Sequence, residues 1–135
     1  MEIMRRDIGA HRVEVEADLV AVTSAGRWSL EQTEQMIAIW DEVKAAHGRL
    51  FYLGDFSSGI NLDAAVRRRL IAWAKSNRFT ALALVVTSLP VRAVAMLVVR
   101  GAQIMNPDSP TPSFCATVHE ARQAIEQARQ AHQKR

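Results

Sequence analysis

A single cysteine, Cys115, in a chain of 135 residues leaves no internal disulfide and no cysteine-built metal cluster to hold a fold together. The expected setting is a reducing cytoplasm. Six glycines and four prolines are too few for a collagen-like or linker-rich chain. The N-terminal stretch through Asp18 lacks the apolar core of a signal peptide. One long apolar window, Thr80 to Val99, carries Arg92 as its only charge, but Thr87-Ser88-Leu89-Pro90 interrupts it. It reads as two short buried elements and not as a transmembrane span.

Glycine-rich phosphate cradles are also missing. Neither G-x-G-x-x-G nor G-x-x-x-x-G-K-[ST] occurs, and the first strand-to-helix loop, Ser24 to Ser29, holds only Gly26. No dinucleotide or other cofactor is expected. The four histidines, His11, His47, His119 and His132, are scattered along the chain. Cys115 and His119 straddle a strand-to-helix junction, so no metal site is expected, and Cys115 reads as a small buried hydrophobe. With one tyrosine and four phenylalanines, none interleaved with the arginines, there is no stacking platform for nucleic acid.

What is present is a globular composition, 49 % apolar and 23 % charged. A chain of this length buries roughly two-thirds of its extended surface, enough for one core without staples. Residues 1–48 carry nine acidic and five basic side chains, whereas residues 49–135 carry five acidic and twelve basic. The net charge of +3 is too small to imply a polyanion partner, but the asymmetry allows an acidic and a basic side.

Alternation marks His11–Val15 as a half-solvated strand, and Ala17-Asp18 turns the chain into a second, Leu19–Thr23, making an N-terminal hairpin. Ser29-Leu30-Glu31-Gln32 is a capping box opening a helix over about Leu30–Ala46, with Gly48 as terminator. Leu50–Leu53 reads as a central strand ending at Gly54-Asp55. Asn61 is the expected N-cap of helix two, with Asp63 in its first turn and Leu62, Val66, Leu70 and Trp73 as its core stripe. Ala81–Val86 reads as a parallel strand covered on both faces. Ser88, with Pro90 in the first turn, starts helix three. A short edge strand, Ser113–Ala116, precedes a last helix opened by a second capping box, Thr117 to Glu120, and the tail after Gln130 is expected to fray. The order β-β-α-β-α-β-α-β-α implies a single α/β domain over residues 1–135, with a mixed sheet, one antiparallel neighbour and right-handed parallel crossovers.

The loop Asp55 to Asp63 follows a central strand and precedes a helix, where open α/β sheets place ligands. Ser57 and Ser58 read either as phospho-acceptors, which would add about −1.5 to −2 charges there, or as plain turn formers with Asp55 capping loop amides. No histidine lies near them in sequence to activate a hydroxyl, so no nucleophilic catalysis is expected. Arg67-Arg68-Arg69 make helix two basic, either as a solvated face or as a docking surface for an acidic protein patch. Trp40 and Trp73 fall on core stripes. Trp28 either folds back on helix one or lines a pocket mouth.

Arg12–Val15, then Leu19–Val22, then Gly26-Arg27-Trp28-Ser29 before a long helix resembles the opening of STAS-type domains, and more closely the SpoIIAA-like family related to anti-sigma-factor antagonists. Leu50–Asp55, Phe79–Val86, Ser113-Phe114 and Val118–Ala121 extend the likeness over about residues 10–131. The resemblance implies a non-enzymatic domain with helices packed against a mixed sheet. Its antagonist members bind an anti-sigma kinase and are switched by phosphorylation of a serine at the start of helix two, in an Asp-Ser-Ser-Gly-like motif. Here Asp55-Phe56-Ser57-Ser58-Gly59 is similar but carries the additional Phe56; if spacing from the strand governs, the matching positions are Asn61 to Asp63, which have no hydroxyl. The arrangement also resembles that of lipid-binding CRAL-TRIO modules.

The first expectation is therefore a cytoplasmic regulatory domain that binds a protein, a regulatory kinase or anti-sigma-like partner, through Asp55, Asn61, Asp63, Arg67 and Arg68. The alternative is a carrier or sensor module holding an apolar small molecule or lipid between helices two and three and the sheet, beside Trp28, Met96 and Met105. The edge strand near Phe114 offers a route to a homodimer.

Overall fold

The computed structural model describes residues 2–134. The hairpin forms from β2 (Arg12–Glu16) and β3 (Leu19–Thr23), which pair antiparallel with Val13 opposite Val22. A two-residue strand, β1 (Met4–Arg5), adds antiparallel to β2. After β3 the chain makes β4 (Gly26–Trp28) and then α1 (Leu30–His47). The Ser29 capping box is closed from both sides, Gln32 N–H donating to Ser29 Oγ at 3.1 Å and Ser29 N–H to Gln32 Oε1 at 3.0 Å. Gly48 ends α1 in the left-handed region at φ 72°, which glycine enters without steric cost.

β5 (Phe51–Asp55) then joins β3 in parallel, and β7 (Ala81–Val85) joins β5. β8 (Ser113–Cys115) completes a six-stranded sheet of order β1-β2-β3-β5-β7-β8. The alternation of side chains along β3, β5 and β7 sends two apolar sets to opposite faces. Val20, Val22, Tyr52 and Leu84 meet α1, α2 (Ala64–Ala74) and α3 (Leu89–Met105) in the larger core. Leu19, Phe51, Leu53, Ala83 and Val85 meet Ala121 and Ile125 of α4 (Val118–Gln133), which alone covers the second face. β5 and β7 are thus covered on both faces, as the unbroken apolar run Ala81–Val86 implied for β7.

Four local expectations are corrected. Asn61 does not cap α2: the chain stays extended through β6 (Ile60–Leu62), which pairs in parallel with β4, and Asp63 is the cap, accepting from Val66 N–H at 3.0 Å. Leu62 therefore packs from this strand and not from the helix. The second capping box is incomplete: Thr117 Oγ1 accepts from Glu120 N–H, but the Glu120 carboxylate takes the Ala116 N–H at 3.1 Å instead of that of Thr117. The chain after Gln130 stays helical to Gln133. Cys115, half-buried, packs beside the smaller core and is not enclosed by it.

Candidate functional site

Between the sheet and α1–α3 the larger core is not filled. A cavity of about 130 Å³ remains, and six aromatic residues, Trp28, Trp40, Tyr52, Phe56, Trp73 and Phe79, contribute to its wall. Protein interiors otherwise pack with few voids larger than a water molecule. An apolar cavity of about 150 Å³ stays dry and takes up benzene, so this space suits an aromatic ring or a short aliphatic group.

Each wall has a local origin. Trp40 lies on the buried stripe of α1 and meets Trp73 of α2 at 5.0 Å between ring centroids, while Phe79 stacks on Tyr52 of β5 at 5.0 Å. Burial pushes the Tyr52 phenol far above its ordinary range, so it stays neutral. Trp28 ends β4, donates its Nε1–H to Ser24 Oγ at 3.0 Å, and stacks on His11. Phe56 reaches the cavity because Gly54 has no side chain: a Cβ there would stand 2.8 Å from Phe56 Cζ and 3.0 Å from Tyr52 Cε2. The α3 wall is made by Ala95, Val98, Val99 and Ala102, whose spacing is one helical stripe.

One end of the lining is polar. Asn77, Arg78 and Ser109 come together where the end of α2 meets the loop after α3, tied by Asn106 Nδ2 donating to the Asn77 carbonyl at 3.4 Å and by Arg78 Nη1 to the Asp108 carbonyl at 3.5 Å. Trp40 Nε1–H is buried with no acceptor among the described residues.

Of the pocket residues expected from sequence, Trp28 lines the cavity, but Met96 and Met105 do not. Met96 follows Ala95 and so points about 100° away from the α3 stripe, and Met105 is exposed at the end of the helix. Flexible side chains suggested a ligand wall; small ones, alanines above all, make the room.

The loop residues stand apart from this cavity, except Phe56, Ile60 and Leu62. Ser57 and Ser58 are exposed, and Ser57 is held to Asp55 by its Oγ at 2.6 Å and its N–H at 3.0 Å. Strand β6 separates both serines from the start of α2, so neither sits at that helix terminus. Asn61 is exposed on β6. Arg67 bends back to donate to the Leu62 carbonyl at 2.6 Å, Arg69 pairs with Glu34, and Arg68 is exposed. Among the described residues no group of three or more His, Cys, Asp or Glu side chains is placed to hold a metal ion. Among the described residues no helix is long and apolar enough to cross a membrane.

Two features escaped the sequence reading. His11 is buried, and so is Asp18, which bonds Arg49 Nε at 2.5 Å and Arg129 Nη2 at 2.7 Å. Both signals were ordinary: a histidine opening a strand and an aspartate in a hairpin turn. Their partners lie 14 to 111 residues away in sequence.

The sheet order, the hairpin and the helix placement define a mixed α/β domain of known kind. No family model matches the chain, and no curated protein does. Among solved structures it is similar to the crystal structure of an uncharacterized protein of the DUF3478 family with a SpoIIAA-like fold from Shewanella loihica PV-4. The two are 21 % identical, with a TM-score of 0.52 over 86 % of this chain and 92 % of that one. The chain therefore has the SpoIIAA-like fold that its element order resembled. At that identity the likeness extends to the fold alone.

Proposed function

We propose that this domain is a non-catalytic module that takes up a small, largely apolar molecule between its sheet and α1–α3, with the polar end of that molecule at Asn77, Arg78 and Ser109. The observation that carries this reading is the half-open, aromatic-walled cavity of about 130 Å³ between the sheet and α1–α3. Its lining contains no His, Cys, Asp or Glu, which suits binding and offers no general base. The unpartnered Trp40 Nε1–H favours a ligand carrying a hydrogen-bond acceptor, because a buried donor without one is costly. The exposed Arg78 guanidinium favours an anionic end.

The test is ¹⁹F NMR titration with fluorobenzene, followed in parallel by tryptophan emission, since three indoles line the space. Saturable broadening of the probe signal is expected. No saturable binding by the folded wild-type domain would overturn the reading. Native mass spectrometry of protein purified from its own cells would then identify the resident molecule.

A second reading, a regulatory domain recognised by a protein partner, has its own observation. Phe56 lines the cavity while its neighbours Asp55, Ser57 and Ser58 reach the surface, so occupancy and loop shape are mechanically joined. The partner would read this loop with Asn61, Asp63, Arg67 and Arg68. Reversing charge at Arg68 should weaken capture of such a partner, whether kinase-like or anti-sigma-like, without lowering thermal stability; unchanged capture would count against this surface.

A further inference from the structure

The outer face of α3 is unusual for a helix of a globular domain. Leu89, Leu97 and Ile104 are 82 %, 59 % and 81 % exposed, and Met105 is 44 % exposed. Scattered single apolar residues on a surface are normal, but these follow one helix. Leu97 and Ile104, seven residues apart, lie within about 20° of one line, and the run from Leu89 to Ile104 spans about 22 Å. The other solvent-facing positions of α3 are Pro90, Ala93, Arg92 and Arg100. The exposed positions of α3 include no acidic side chain, and its one neutral hydrogen-bonding side chain, Gln103, is half-buried and donates to Thr111 Oγ1.

The neighbouring helix extends the same chemistry. α2 packs tightly against α3, where Gly101 lets Ile71 approach so closely that a Cβ would overlap its Cδ1. The exposed positions of α2 are alanines and Arg68, and Lys75 follows at its end. From Ala64 to Pro107 the chain contains seven Lys and Arg and not one Asp or Glu. Among the described residues, Arg69 is the only one of the seven with a carboxylate partner.

We propose that the α2–α3 face docks on an anionic lipid bilayer, with Leu89, Leu97 and Ile104 entering the headgroup–acyl boundary and Arg68, Lys75 and Arg100 meeting the lipid phosphates. Large aliphatic side chains between cations, without acids, are what an interfacial helix requires, and each half of the pattern supplies part of the attraction. A second copy fits the face poorly. Face to face, two such surfaces oppose cation with cation. The acidic exterior of α1 (Glu31, Glu34, Asp41, Glu42) would match the charge but exposes only Leu30 as a large aliphatic partner. The proposal does not rest on the cavity, although α3 is one of its walls.

Co-sedimentation of the full chain with vesicles tests it, comparing phosphatidylcholine alone with phosphatidylcholine containing phosphatidylglycerol. Binding is expected to the anionic vesicles and to fall steeply with added salt. Leu97→Asp and Ile104→Asp should each weaken it about tenfold, and Arg68→Gln with Arg100→Gln should remove the preference for phosphatidylglycerol. These side chains are exposed, so the variants keep the fold, which thermal melts would verify. Absence of binding to anionic vesicles, or binding unchanged in Leu97→Asp and Ile104→Asp, would overturn the proposal. So would sedimentation velocity showing a dimer that Leu97→Asp dissolves, since a second copy would then own the face.

Discussion

The imidazole of His11 lies flat on the indole of Trp28, with ring centroids 3.7 Å apart and 6° between their planes. Both nitrogens of the histidine are committed. Ala25 N–H donates to Nδ1 at 2.9 Å, and Nε2 stands 3.0 Å from the Arg27 carbonyl. A backbone N–H can only donate and a carbonyl can only accept, so the hydrogen bonds assign the neutral ring with its proton on Nε2. This histidine ties the start of the hairpin to the β3–β4 turn and fixes the tryptophan that forms one cavity wall.

Acid should therefore loosen this corner first. Burial, the largest influence, holds His11 below its ordinary value of 6.5, against the hydrogen bond to the Arg27 carbonyl, which raises it. Below that ordinary value the unfolded chain binds the proton more readily than the folded one. The stability owed to the neutral ring is present above about pH 6.5 and is lost as pH falls towards the folded-state value. Urea unfolding between about pH 7.5 and 5 should show this slope, and His11→Phe should flatten it while costing about 1–3 kcal/mol for the two backbone groups left unpaired. An identical pH slope in His11→Phe would refute the assignment.

Asp18 governs a lower window. Its side chain is 3 % exposed between Arg49 and Arg129, whose side chains are 37 % and 17 % exposed. Burial alone would raise its carboxyl, but hydrogen bonds from both arginines overcome that and hold it below 3.8. That stability is present above 3.8 and disappears as pH falls through the depressed folded value. Because both arginines keep contact with water when released, Asp18→Ala should cost about 2–3 kcal/mol, less than a fully enclosed pair would. A double-mutant cycle with Arg129→Ala should return a favourable coupling, since Arg129, with Arg122 on Glu16, links α4 to the hairpin turn.

The main frame was legible because it is local. Ser29 with Gln32 and Ser88 with Pro90 are signals within one turn of chain, and the apolar run at Ala81 states its own burial. What stayed hidden depends on partners distant in sequence. Asn61 looked like a cap because nothing near it reveals that Ile60–Leu62 finds Gly26–Trp28 as a strand partner. Met96 and Met105 were expected at a pocket by residue type, whereas the space arises where small residues of α3, Ala95 and Ala102, face large rings contributed by other segments, with Gly54 admitting Phe56 to the wall.

Gly54 is the tightest of these dependencies. A Cβ at this position would overlap Phe56 and press on Tyr52, so Gly54→Val must drive the phenyl ring out of the core or into the cavity. Overpacking of this kind costs about 1–3 kcal/mol. The expected variant folds with a lower melting temperature and no longer broadens the fluorobenzene signal. Retained probe binding would mean that Phe56 is not a wall the ligand needs.

Ala95→Leu separates a binding site from a packing defect. Ala95 is buried on α3 against the larger core and faces the cavity. A leucine there adds three carbons to the empty space, and cavity-filling changes commonly stabilise by about 0.5–2 kcal/mol. The expected variant is about 1 kcal/mol more stable in urea and has lost fluorobenzene uptake, whereas Met96→Ala, off the stripe, leaves uptake unchanged. A core kept open at the expense of stability is what a ligand site requires, because the missing contacts are those the ligand supplies. If Ala95→Leu were destabilising by overpacking, the space would be too small for even a branched aliphatic group, and the ligand class would narrow to molecules that enter only by displacing Phe56.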